Sequence, residues 1–222
     1  MLGFLSTDSP FGRAISRLWI IIITSLMFAV CCLPVFTVGA AYAALYYTMF
    51  RMLRSKWEVS PYREFFHGLK ANFKQGTICW LVSLALFLFG YLDVRFCKYM
   101  DNTFLTILMY LLYAMGIALI VMNLYIYPVM AAFDTDLKGV LKNSLYFAMN
   151  RPLSMIVIFV VTVIPQVFTY ANMEMFALYG FIWVVGGYSL VVTFCAWLLL
   201  KQFSPYLPEA DDLSQIKPGH WR

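Results

Sequence analysis

Between Arg17 and Arg51 the chain carries no charged residue, and no other feature limits its fold as strongly. The interval is too long for one ordinary membrane-crossing helix of about 20 residues. Pro34 and Gly39 interrupt it near the middle, where proline removes a helical hydrogen bond and glycine loosens the backbone. The pattern predicts a helical hairpin through a bilayer. Its returning arm, PVFTVGAAYAALYYTMFRMLR, sets Gly39 with Ala43, and Ala40 with Ala44, at i, i+4 spacing. Small residues in that register let another helix approach closely, which is how helices associate in lipid. The face made by Gly39, Ala40, Ala43 and Ala44 either packs the protein against itself or receives a partner. Arg51, Arg54 and Lys56 stop the arm at a headgroup layer.

The remainder of the chain extends this reading. Of 222 residues, 63% are hydrophobic and 12% charged, with a mean hydropathy of +0.78; soluble domains carry about a quarter charged residues. The fold class expected is an all-α membrane protein with six transmembrane helices, at about 18–33, 37–53, 75–92, 103–133, 153–170 and 176–200. Residues 1–205 form one polytopic membrane domain, and 206–222 a polar cytoplasmic tail. The fourth apolar run exceeds the hydrocarbon thickness and must tilt or project. The run continues past Ala41-Tyr42-Ala43, so no signal-peptide cleavage is expected there.

Two segments are too charged to cross. In YREFFHGLKANFK, the residues Tyr62, Phe65, Phe66, Leu69 and Phe73 make an apolar stripe, and Arg63, His67, Lys70 and Lys74 make the opposite one. Ser60 and Pro61 supply its N-cap and first turn. This is the pattern of a basic amphipathic helix on a membrane surface, or docked on a partner. In DTDLKGVLKNSLYFAMNRP, the residues Leu137, Val140, Leu141, Leu145 and Ala148 share a face away from Lys138, Lys142 and Asn143. With six spans, all of the sixteen basic residues except Arg95 and Lys98 fall on the side of the termini. The positive-inside rule makes that side cytoplasmic. Basic residues dispersed over membrane-edge loops do not make a nucleic-acid surface.

Catalytic constellations are not found. His67 and His220 are the two histidines, and the five cysteines have neither metal-ligand spacing nor a disulfide framework. No catalytic residue, metal or cofactor is expected. The deep polar residues are neutral. Asn123 and Gln166 are the most unusual of them, suited to bonding between helices, and Gln166 beside Pro165 also to satisfying a carbonyl that the proline frees. Ion-coupled transporters use charged groups at depth; none lies mid-span, which argues against a proton- or sodium-coupled pump.

LPVFTVGAAYAALYYTMFRMLR, FFHGLKANFKQGT and YPVMAAFDTDLKGVLKNSLYFAMNRP, in that order, resemble the YesL family of bacterial membrane proteins. The family's Pro-x-x-Thr-x-Gly-Ala run is met by Pro34, Thr37, Gly39 and Ala40, and its Pro-x-x-Ala-x-Phe run by Pro128, Ala131 and Phe133; Ala132 stands where the family more commonly has Arg. Members tend to be encoded beside carbohydrate ABC importers. The resemblance implies a multi-pass protein of the bacterial plasma membrane, acting as a non-catalytic auxiliary subunit of a carbohydrate ABC importer. Its partners would be membrane lipids and the permease subunits, with a homo-oligomer open; Arg63, His67, Lys70 and Lys74 are candidates for that interface with the small-residue face. The alternative is a small independent transporter or channel for a neutral solute such as an oligosaccharide.

Overall fold

The structure, a computed structural model, describes residues 10–55, 57, 59–99 and 103–207. Expectations for residues 1–9, Lys56, Asp101, His220 and the tail from 208 onward lie outside them. Helix α1 runs Pro10–Cys31, and Pro34 keeps it from continuing. The turn that follows is fastened by Thr37, whose hydroxyl donates to the carbonyls of Cys31 and Pro34. Helix α2, Val38–Arg54, then returns. It ends with Arg51 and Arg54, cations that suit a helix C-terminus. Trp57 takes a left-handed conformation (φ 73°) while its amide donates to the Met52 carbonyl, and Arg17 of α1 lies 5.8 Å from its ring.

Helix α2 is the core of the molecule. Twelve of its seventeen residues are buried, and it packs against α3 (Pro61–Tyr99), α4 (Thr103–Ala132), α8 (Tyr188–Phe203) and, more lightly, α1. The tightest seam is with α3, whose inner row is Gly68, Asn72, Gly76, Cys79 and Ser83. That row recurs every three to four residues, as one helical face must, and small residues along it let the α2 backbone come close. A Cβ on Gly76 would lie 2.8 Å from the Ala40 Cα; one on Gly39 would overlap the Gly76 carbonyl and sit 2.6 Å from the Trp80 Cβ.

Helix α3 corrects the expected division into a surface helix and a separate span. Residues 61–99 are one helix of 39 residues. Polarity changes near Lys74 and Gln75, but nothing there breaks a helix, so the hydrogen-bond ladder runs through. Its charged first half packs on α2, level with Trp80, whose indole donates to the Val35 carbonyl at 2.7 Å. Beyond that level, α3 and the first half of α4 expose most of their apolar side chains and pair with each other.

Helix α5 (Leu137–Asn150) and α6 (Pro152–Ala171, with Pro165 inside) follow. The inner face of α5 is Val140, Ser144, Phe147 and Ala148, whereas Leu141 and Leu145 of the expected apolar stripe are exposed. The core selects the flank carrying Phe147 because that ring stacks on Phe133 (5.6 Å) and meets Phe203 (4.6 Å). The last apolar stretch is α7 (Phe176–Ile182), a π turn over Trp183–Gly187, and α8. Helix α1 crosses at that π turn, where Ser25 donates to the Trp183 carbonyl and Thr24 bonds Ser189.

Among the described residues, five stretches are long and apolar enough to cross a membrane: Gly12–Cys31, Pro61–Tyr99, Phe104–Ala132, Pro152–Ala171 and Phe176–Tyr206. Helix α2, the expected second span, is shorter than these and enclosed by them. Exposed leucines, valines and phenylalanines along α3, α4, α6 and α7 suit a lipid surround, because they would be costly in water.

Candidate functional site: a polar cleft at the basic end of the bundle

The C-terminus of α2, the start of α3, the C-terminal ends of α4 and α8, and α5 meet at one end of the molecule. Pro61 begins α3, and the Glu64 amide bonds the Ser60 carbonyl. That start brings the Glu64 carboxylate to the Arg51 guanidinium at 3.1 Å, with the two side chains only 8% and 15% exposed. An ion pair so shielded fixes the α2–α3 register, since either charge alone would be strongly disfavoured. On the far side, Gln202 of α8 donates to the Phe147 carbonyl, and the hydroxyls of Tyr146 and Tyr206 bond at 3.2 Å. These bonds tie α2 to α3, and α5 to α8 and the turn that follows it.

Between α2, α3 and the end of α4 lies a cleft of about 110 Å³ lined by Tyr47, His67, Ala71, Asn72, Gln75 and residues 130–134. The His67 ring leans on Tyr47, centroids 5.7 Å apart, and its Nε2 is buried with no hydrogen-bond partner. Asn72 donates its amide to the Gly68 carbonyl at 2.9 Å, and Gln75 donates to the Thr135 carbonyl at 3.1 Å. Each amide thus turns its nitrogen to the backbone. A second, much smaller cleft shares Tyr47, Ala131 and Ala132 with the first and is lined also by Arg51, Arg54, Leu200 and Leu207.

The residues singled out from sequence fall in three places. Ala40, Ala43 and Ala44 are fully buried and Gly39 is buried with them; their face meets the protein's own α3, leaving none of it exposed to a partner. Arg63, Lys70 and Lys74 are exposed on the outer face of α3, with Tyr62, Phe66 and Phe73 beside them, and only His67 of that group turns partly inward. Asn123 joins α4 to α3: it accepts from the Ser83 hydroxyl at 2.9 Å and donates to the Leu119 carbonyl. Gln166 is half-buried and makes no hydrogen bond among the described residues, and Thr169 donates to the Pro165 carbonyl one turn before it, not to the carbonyl that the proline frees.

Sequence reasoning did not find Tyr47, Asn72, Gln75 and Asp134 as neighbours. The signal was present in the row Gly68, Asn72, Gly76, which marks the α3 face turned to α2.

The N-terminal part of the chain, residues 16–94, matches the family of proteins of unknown function DUF624. The chain is also 24% identical over 127 residues to the uncharacterized protein YesL of Bacillus subtilis (strain 168), a match covering 57% of this chain and 59% of that protein. No solved structure matches it. The motif order and these two matches agree in likening the chain to YesL, of whose length the match spans 59%.

Proposed function

We propose that this protein is a non-catalytic auxiliary subunit of a bacterial carbohydrate ABC importer, binding the permease and stabilising or tuning it. In this reading α2 is a shielded sixth pass and both termini are cytoplasmic, which the gathering of basic residues at one end supports. The localisation is the plasma membrane. The observation that carries the reading is the outer face of α3, where Arg63, Lys70 and Lys74 alternate with exposed Tyr62, Phe66 and Phe73 while the inner face is committed to α2. Exposed aromatic residues beside an arginine are enriched at protein interfaces, and with cytoplasmic termini this surface would face a permease's cytoplasmic loops. The small-residue face has no part in the contact.

The alternative, an independent transporter for a neutral solute, is less well supported because α2 fills the middle of the bundle. The test is purification from native membranes in a mild detergent with a photo-crosslinking amino acid at Phe66. Adducts to permease subunits are expected. Recovery of the protein alone, together with oligosaccharide flux in proteoliposomes, would replace this reading with the transporter.

A further inference from the structure

The geometry points to the cleft beside His67 as a binding site for an organic ammonium group. The hydrogen-bonding valences left open there favour such a group, independently of any importer.

Carbonyl oxygens only accept hydrogen bonds, so the amide ends of Asn72 and Gln75 that face Gly68 and Thr135 must be their NH2 groups. Among the described residues their side-chain oxygens have no hydrogen-bond partner. Helix α4 ends at this cleft, and after the Phe133 amide bonds the Val129 carbonyl, no backbone amide of the described residues reaches the carbonyls of Met130, Ala131 or Ala132. These are the orphan acceptors of a helix C-terminus, which carries the negative end of the helix dipole. Asp134 follows directly, lines the same cleft, and forms no ion pair among the described residues. His67 adds a buried ring nitrogen with no partner, an acceptor in the tautomer protonated at Nδ1.

The site is therefore rich in acceptors, carries one carboxylate, and has a volume of about 110 Å³. A primary ammonium offers three donors and one positive charge, which is the complement of that set. An anion would meet Asp134 and the α4 carbonyls. A neutral alcohol would leave most of the acceptors unmet. The nearby cations do not fill the site: Arg51 is held by Glu64, Arg54 lines the smaller adjoining cleft, and Lys70 and Lys74 are exposed.

The experiment is saturation-transfer NMR on the full chain in maltoside, with methylammonium as probe and ethylene glycol as the neutral comparison. Saturable transfer to methylammonium is expected, with competition by ethanolamine and no saturable transfer to ethylene glycol. Asp134→Asn, at an exposed position and compared with the parent protein by thermal melt to verify its fold, should weaken methylammonium binding at least fivefold, and His67→Phe should weaken it with Asp134 in place. Unchanged binding in Asp134→Asn, or equal transfer to both probes, would overturn the proposal. Repeating the measurement in nanodiscs identifies the source. Loss of the methylammonium signal in phosphatidylethanolamine but not phosphatidylcholine assigns the site to a lipid headgroup, and persistence in both assigns it to a soluble amine.

Discussion

The carbonyl of Gly76 occupies the space that a side chain on Gly39 would need. The α2–α3 seam therefore depends on two backbones touching, and the Cβ of an alanine at position 76 would lie 2.8 Å from the Ala40 Cα. Gly76→Ala should lower stability by about 1–3 kcal/mol through overpacking. Gly90 on the same helix has nothing within 4 Å of its Cβ position, so Gly90→Ala should be neutral or stabilising by up to ~1 kcal/mol. Tryptophan-fluorescence melts in one detergent compare the two; equal melting temperatures would refute the close contact.

Arg51 and Glu64 form a shielded ion pair. Glu64→Gln should destabilise by about 1–3 kcal/mol, because it takes a charged hydrogen-bond partner from a guanidinium largely out of water. The double variant Arg51→Met, Glu64→Met should recover most of that loss. A double variant as unstable as the single would show that the pair contributes through more than its charges.

Ser83 and Asn123 join α3 to α4 above the level of the α2 core. Interhelical hydrogen bonds of this kind are worth about 0.6 kcal/mol in lipid, with an upper end near 1.7. A double-mutant cycle with Ser83→Ala and Asn123→Ala should return a coupling in that range, and a coupling of zero would remove the bond from the account.

Gln202 donates to the Phe147 carbonyl while its own oxygen is buried without a partner. Gln202→Met removes one unsatisfied acceptor but takes the donor from another, the Phe147 carbonyl in the last turn of α5. A loss of about 1–3 kcal/mol is expected. No loss, measured by the same melts, would mean that another donor serves the Phe147 carbonyl.

The continuity of α3 is directly measurable. Lys70 and Arg95 are both exposed on it, and 25 residues of unbroken helix separate their backbones by ~38 Å at ~1.5 Å per residue. Spin labels at the two positions should give a single distance distribution near that value. A surface helix turning into a span at Lys74 would give a shorter one.

Local chemistry made much of the fold legible. Pro34, Pro61 and Pro152 mark the end or start of helices, where a residue without an amide costs least, although Pro128 and Pro165 lie inside α4 and α6, and the apolar runs locate the helices long enough for a membrane. What could not be read was which residues serve as inside. Gly39, Ala40, Ala43 and Ala44 have the same pattern whether they meet a neighbour in the chain or another protein; only the answering row on α3 decides it. Leu141 and Leu145 failed for a related reason, since α5 has two apolar flanks and the ring of Phe147 fixes which one turns inward. The cleft was hidden because Tyr47, His67 and Asp134 come from three elements, and no periodicity within one element reports contact with another.

The uninterrupted α3 also has a mechanical meaning. Helix α3 is unbroken from Pro61 to Tyr99, so a displacement of one end would be carried to the other as tilt of the whole helix. Its first half is seated along α2 from the Arg51–Glu64 pair through Gly68 to Gly76, and its second half lies among apolar neighbours. The length that projects past that seat is stiffened by its own hydrogen-bond ladder and by α4 alongside it, so its direction is set where α2 holds it.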